Sequence, residues 1–319
     1  MKMFESIIQT IEQYNKIMIY RHERPDPDAL GSQAGLAAWI RKQFPDKQVG
    51  TTGENEPSLS FLATMDEQPF EVDAETLVIV CDTANMARID GGGWDQGAAI
   101  IKIDHHPNED PYGEPMWVDT KKSSTCEMIT ELVLYAQQSY GWTIPNETAR
   151  LCYAGLIGDT GRFQFSNTTP NTMRMAAELL AFDFDPGAIY AEMYKNPESL
   201  VRLRGEVLQG FALSEDGAAY MYLTRELLDK YNVTINESSA VINSFADTEG
   251  VIAWVFFVEE EKGSYRVRFR SRGPVINQLA VKYRGGGHTM AAGAKAENRK
   301  ETEDIIQELE TICRNWKQR

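Results

Sequence analysis

The chain has 319 residues, 42% of them hydrophobic and 25% charged, with a formal charge of −15. That length holds two domains or one large one with substantial cores, the composition is ordinary for a globular protein, and no run approaches the roughly 20 apolar residues of a membrane helix. With 47 Asp+Glu against 32 Lys+Arg, the chain as a whole is built against gripping long duplex DNA, whose affinity comes from neutralising many phosphates.

The segment "MKMFESIIQTIEQYNK" mixes charges into its apolar positions and predicts an amphipathic helix, not a signal peptide. "KIMIYRH" is strand-like. "DALGSQAGLAAWIRKQF" has helical spacing and opens on Asp28, a candidate N-cap. "TLVIVCD" and "AAIIKIDHH" are continuous apolar runs ending in acids, which suits strands buried on both faces of a parallel sheet. "SSTCEMITELVLYAQQ" and "NETARLCYAGLIGDTG" predict helices, so the first half is α/β with a parallel sheet and helices on both faces. From about 170 to 213 the pattern is helical, with "NPESLVRLRGEVLQ" as a connecting helix. The texture then changes. "AAYMYLT", "GVIAWVFFVEE" and "SYRVRFRSRG" predict strands, with a hairpin turn at "EEEKGS". "INESSAVINSFAD", "VINQLAVKY" and "KETEDIIQELETICRNW" predict helices of a smaller α+β domain. The expected division is a first domain over 1–187, a helical linker over 188–212 and a second domain over 213–319, with a cleft between the domains. Four scattered cysteines without a C-x-x-C pair point to a reducing cytoplasm.

In open parallel sheets, ligands bind beyond the carboxyl ends of the strands. His22, Asp26 and Asp28 follow the first strand, Asp82 ends the second run, and Asp104, His105 and His106 end the third. Asp159 lies where "GLIGDTG" breaks. Taken alone, each has a plain structural reading: Asp28 a cap, Asp82 a strand end, His22 a packed histidine, His105-His106 a surface loop. Together they crowd carboxylates onto one edge, which needs cations to offset the repulsion. Imidazole and carboxylate donors suit Mn²⁺, with Mg²⁺ or Co²⁺ possible. The donors outnumber the needs of one ion and predict two, roughly 3.5–4 Å apart.

"RPDPDALGS", "VIVCDTAN", "IDHHPNEDPYG" and "GLIGDTGRF" resemble the four motifs of the DHH phosphoesterase superfamily, and "RFRSRG" followed by "GGGH" resembles its associated C-terminal domain. The resemblance spans nearly the whole chain and is tightest to the bacterial nano-RNase branch of bifunctional oligoribonucleases and pAp phosphatases. It departs at Arg284, where a further glycine is often found. The resemblance implies that His22 and Asp26 hold one ion, that Asp28, His105 and Asp159 hold the other, and that Asp82 bridges them. It implies His106 as the phosphate-facing acid, with Asp104 orienting His105. The implied activity is hydrolysis, by a water activated between the metals, of RNAs of about 2–5 nucleotides to mononucleotides. The 3'-phosphate of pAp is the second implied target, making the chain also a 3'(2'),5'-bisphosphate nucleotidase. Asn85 and Arg88 are candidate phosphate contacts near the metals.

From Arg266 to His288 there are six Lys or Arg and no acid. Arg266, Arg268, Arg270 and Arg272 alternate along a predicted strand and would share one face, suited to phosphate. Against that stands a basic edge strand that resists aggregation. The glycines before His288 allow close backbone approach. Arg268, Arg270, Ser271, Gly286, Gly287 and His288 are therefore the candidate anchors for the far end of a short nucleotide chain. Rival readings are an inorganic pyrophosphatase, a cyclic or linear dinucleotide phosphodiesterase, and a non-enzymatic nucleotide-binding module. The GGGH segment argues against the first, and the full ligand set against the last. A monomer or a homodimer is expected.

Overall fold

The computed structural model describes residues 2–67, 70–108, 110–260 and 263–318, which form two compact units, 1–194 and 195–319.

The first unit is a five-stranded, fully parallel sheet in the order β2-β1-β3-β4-β5. Its strands are β1 (Lys16–Tyr20), β2 (Gln48–Thr51), β3 (Thr76–Cys81), β4 (Ala99–Asp104) and β5 (Met116–Val118). Its helices are α1 (Lys2–Gln13), α2 (Pro27–Gln43), α3 (Thr125–Tyr140), α4 (Asn146–Asp159), α5 (Pro170–Leu179) and α6 (Pro186–Met193). β3 is buried at every position, as its unbroken apolar run requires.

The layering differs from expectation in one respect. Buried residues of all six helices join one core with Ile17, Ile19, Leu77, Ile79, Cys81, Ile101 and Ile103, the odd-numbered face of the sheet. The even-numbered face carries Met18, Tyr20, Val78 and Val80, packed with Ile89 and Tyr112 from the loops after β3 and β4. Helices therefore cover one face and loops the other.

The N-cap of α2 is also corrected. Asp26 fills it, accepting from the backbone N–H groups of Asp28 and Ala29 at 3.0 Å each, with Pro27 at the first helical position, where no N–H is needed. Asp28 is thereby released for another role.

The second unit is a six-stranded mixed sheet, β10-β11-β9-β8-β7-β6. The strands are β6 (Ala212–Leu213), β7 (Ala218–Leu223), β8 (Ala253–Glu259), β9 (Tyr265–Ser271), β10 (Gly286–His288) and β11 (Ala291–Ala296). Only the β7–β8 pair is parallel. Val255, Phe257, Val267 and Phe269 pack against α9 (Asn277–Lys282) and α10 (Arg299–Lys317). Trp254, Phe256 and Val258 face the opposite way, against α7 (Glu198–Gly210), α8 (Arg225–Lys230) and the 235–247 segment.

α7 was expected within a linker, yet Leu203 and Val207, one helical turn apart, are buried in this second core. The expected helix over 235–247 is only a 3₁₀ turn, Glu237–Val241, followed by turns. Two of its serines bond back to local backbone, Ser238 Oγ to the Ile235 carbonyl and Ser239 Oγ to the Asn236 carbonyl, which competes with a continued helix. Of the expected "EEEKGS" turn, residues 261 and 262 lie outside the described residues; the Glu260 N–H donates to the Ser264 carbonyl at 2.8 Å across it.

Candidate metal centre

Every candidate ligand sits at the carboxyl edge of the parallel sheet or on a helix end beside it. His22 follows β1. Asp82 follows β3 with its backbone in the left-handed region, φ 52°, a strained geometry for a residue with a Cβ. Its N–H bonds to the Ile103 carbonyl at 2.9 Å, which fixes that turn against β4. His105 and His106 follow β4, and Asp159 is the last residue of α4.

Three groups of side chains offer donor atoms within 4.8 Å of one another: His22 with Asp26 and Asp82; Asp28 with His105 and Asp159; and Asp82 with His105 and His106. Asp82 links them. Its Oδ2 lies 3.5 Å from His22 Nε2, and its Oδ1 lies 3.5 Å from His105 Nε2 and from His106 Nδ1. His105 Nε2 is also 3.2 Å from Asp159 and 3.9 Å from Asp28.

The donor atoms are aimed by partners outside the groups. His22 Nδ1 lies 2.8 Å from the Glu23 carbonyl, a bond that leaves Nε2 free as a ligand atom. Asp28, fully buried, accepts from the backbone N–H groups of Thr125 and Cys126 at 2.7 and 2.8 Å. The positive end of α3 thus holds a carboxylate that desolvation disfavours. Thr125 Oγ1 donates to Asp82 Oδ1 at 3.0 Å.

The expectation that Asp104 orients His105 is overturned. Asp104 Oδ1 lies 2.9 Å from His106 Nδ1 and accepts the His106 backbone N–H at 3.1 Å. The chain turns immediately after β4, so Asp104 reaches the second histidine and not the first.

Electrostatics shows what the cluster lacks. Burial raises the Asp28 pKa, and the nearby Asp82 and Asp159 raise it further. Burial also raises Asp159. Burial alone would lower His105, but hydrogen bonding to Asp159 and the charges of Asp28 and Asp82 outweigh it and push it up to about 10. The raised carboxyls and the raised imidazole both mark a place where added positive charge would be stabilised. Cys81 and Cys126 are nearby, but burial pushes their thiols well up, so they are not thiolate donors. The oxygen and imidazole donor set fits divalent cations.

Arg88 is exposed, with Nη2 3.2 Å from His22 Nδ1, so it borders the cluster. Asn85 opens the 3₁₀ turn before it with its side chain uncommitted to capping. Residues that sequence reasoning passed over are Thr125, Arg21 and Lys102. Arg21 and Lys102 are fully buried cations beside the ligand loops; a charge inside each predicted apolar strand was the available signal.

In the second unit the alternation along β9 is as expected, with Tyr265, Val267, Phe269 and Ser271 on the buried face. Most of the arginine face is already engaged. Arg266 bonds Glu260 and Asn236, Arg268 bonds Ser238 Oγ at 3.0 Å and the Ile235 carbonyl at 2.8 Å, and Arg272 pairs with Asp247. Arg270 bonds only the Phe269 carbonyl among its described contacts. Ser271 lies on the other face, in a turn with Pro274 and Gly273. The structure thus does not bring Ser271 to the arginine face, and it uses Arg268 to pin the 235–238 segment. His288, Ala291 and Arg270 form one row across β10, β11 and β9, so their side chains share a face. A Cβ on Gly287 would come 2.8 Å from the Ala291 carbonyl, and one on Gly285 would overlap the Gly293 carbonyl, whereas Gly286 faces open space.

A parallel sheet whose carboxyl edge gathers these aspartates and histidines, joined to a mixed-sheet domain, is the architecture of a two-domain phosphoesterase of the DHH class. The model of the DHH family N-terminal domain matches residues 16–156, and that of the DHHA1 domain matches 216–315. The chain is 47% identical over 97% of its length to the bifunctional oligoribonuclease and PAP phosphatase NrnA of Bacillus subtilis, 98% of which is covered. It is 45% identical over 98% of its length to the probable bifunctional oligoribonuclease and PAP phosphatase NrnA of Streptococcus mutans, all of which is covered. Among solved structures, an exopolyphosphatase-related protein from Bacteroides fragilis superposes with a TM-score of 0.79 at 25% identity, covering 98% of this chain and 97% of that one. The chain belongs to the DHH/DHHA1 family of phosphoesterases.

Proposed function

We propose that the chain is a metal-dependent oligoribonuclease that releases mononucleotides from very short RNAs and also removes the 3'-phosphate of pAp. The observation that carries this reading is Asp82, with one carboxylate oxygen toward His22 and the other toward His105. The names of the two relatives, each matched over nearly its whole length, supply the substrate class.

His22, Asp26 and Asp82 would hold one ion, and Asp28, His105, Asp159 and Asp82 a second, with Mn²⁺ preferred for this donor set. Such ions supply Lewis acidity and lower the pKa of a water at neutral pH. The chain's own groups do the rest. Thr125 and the first N–H groups of α3 fix the oxygens of Asp82 and Asp28. His106, held at Nδ1 by Asp104, presents Nε2 as a donor to the phosphate and its leaving oxygen. Arg88 and Asn85 add phosphate contacts beside it. In the second unit, Arg270 and His288, with the open Gly286 in the neighbouring row on the same face, bind nucleotides remote from the cleaved bond. Among the described residues no helix is long and apolar enough to cross a membrane; four buried cysteines without a disulfide support a cytoplasmic setting.

With Mn²⁺, a series of oligoribonucleotides from two to ten residues should be degraded fastest at two to five. Inorganic phosphate should appear from pAp, and pyrophosphate should be a poor substrate. Fast pyrophosphate hydrolysis with inert dinucleotides would replace this reading with a pyrophosphatase.

A further inference from the structure

Lys102 is fully buried in β4, in register with Val80 of the neighbouring β3. A lysine is rarely fully buried unless its charge is partnered. Its ammonium donates to the Ala84 carbonyl at 2.8 Å and to Asn108 Oδ1 at 3.2 Å, and lies 3.5 Å from Asp104 Oδ2. The Tyr112 ring closes its fourth side, centroid 4.4 Å from Nζ, and the Tyr112 hydroxyl donates to the Thr83 carbonyl at 2.6 Å. Two acceptors thus take hydrogen bonds from the ammonium, one in the loop after β3 and one in the loop after β4, and the Asp104 carboxylate at the end of β4 is its ion-pair partner.

The Asp104 contact matters most. Oδ1 of Asp104 is committed to His106, while Oδ2 is buried and accepts no hydrogen bond. Lys102 is the cation on that side. Remove it, and a buried carboxylate is left half-unpartnered, free to rotate away from His106. Lys102 itself lies within none of the three donor groups that could hold a metal.

We propose that Lys102 is a positioning residue: through Asp104 it fixes the ring of His106 that faces the substrate phosphate. The inference rests on the reading of His106 given above. Lys102 acts at one remove, so its loss should change the rate of the chemical step and neither metal binding nor substrate affinity.

The test is a double-mutant cycle with pAp as substrate, measuring kcat, KM and bound Mn²⁺ per chain. Lys102→Met should lower kcat about 10–100-fold, as loss of an outer partner of a site residue typically does, with KM and metal content unchanged. In a His106→Ala background, Lys102→Met should cause no further fall, because the group it positions is gone. Multiplying losses, or metal lost from Lys102→Met alone, would overturn the proposal and make Lys102 a support of the fold or the metal loops. Normal kcat in His106→Ala alone would remove the His106 reading, a separable failure. Should Lys102→Met not fold, Lys102→Arg and Asp104→Asn carry the same cycle. Lys102→Arg keeps the charge and should retain most of the rate. Asp104→Asn breaks the link and should be silent without His106; an additive loss there overturns the proposal equally.

Discussion

Asp82 and Glu127 are both buried carboxylates, stabilised by different means. At Asp82, burial acts to raise the pKa, and the hydrogen bond from His22 with the charges of His105 and His106 outweigh it. Glu127, also buried, is hydrogen-bonded by uncharged donors, the Ser123 N–H at 3.1 Å, Ser123 Oγ at 2.5 Å, Asn171 Nδ2 at 2.7 Å and Thr172 Oγ1 at 2.8 Å, with the Lys122 ammonium further off at 3.9 Å. Burial alone would raise its pKa; these bonds bring it below the ordinary glutamate value. A carboxyl depressed in the folded state stabilises above its unfolded pKa, and that contribution is lost as pH falls through the folded value. Glu127→Gln should therefore cost about 1.5–3 kcal/mol at pH 7, and the gap should close as pH falls below the ordinary glutamate range, measured by denaturant unfolding of metal-free protein. A gap independent of pH would contradict the assignment. The candidate metal ligands were legible in sequence as a group because most are polar residues at the end of an apolar run or at the break of a helical pattern, and Asp26 because it lies two residues before Asp28. Asp104 was legible as a site residue, but its partner was not: which histidine it reaches depends on how the chain turns after β4. The roles of Lys102 and Glu127 were hidden because their partners come from several separate segments.

At the scale of elements, the central strands β1, β3 and β4 announced themselves as short, largely apolar runs, and β8 likewise. The peripheral strands did not. β2 and β5 have four and three residues, too few to show a period. β10 is Gly286, Gly287 and His288, with no hydrophobic alternation at all. From sequence, its glycines were read as room for a ligand. The structure divides them: Gly285 and Gly287 are required by the close passage of β11, and only Gly286 is open. Gly285→Ala should lower Tm by several degrees, since overpacking against backbone costs about 1–3 kcal/mol. Gly286→Ala should leave Tm within a degree and, if this surface binds nucleotide, raise KM for a dinucleotide. Equal thermal melts for the two variants would contradict the division. Helices on one face of the first sheet, and loops on the other, could not be read from periodicity: an unbroken apolar run says that both faces are covered, not by what.

For the molecule as a whole, the change of texture near residue 213 was read as the passage to a second domain; the compact units divide at 194/195, and each has its own core. The proposed division of labour follows: the first unit holds the reacting phosphate, the second binds nucleotides remote from it. Arg270→Ala and His288→Ala should keep bound Mn²⁺ and weaken di- to pentanucleotide hydrolysis about tenfold or more, with kcat falling alongside affinity because remote contacts also position the reacting group. Bis-p-nitrophenyl phosphate, too small to use such contacts, should be hydrolysed nearly as before. Equal losses on both substrates would mean that the second unit serves the fold or the metals. The central claim is that one carboxylate, Asp82, serves both halves of a single metal centre that performs both reactions. Its most direct measurement is Asp82→Ala, assayed together for bound Mn²⁺, mononucleotide release from a dinucleotide and phosphate release from pAp. The expected result is reduced metal occupancy at both sites and loss of both activities by at least about a thousandfold, within an otherwise folded protein. Two retained metals with near-normal turnover, or loss of one activity while the other persists, would contradict it.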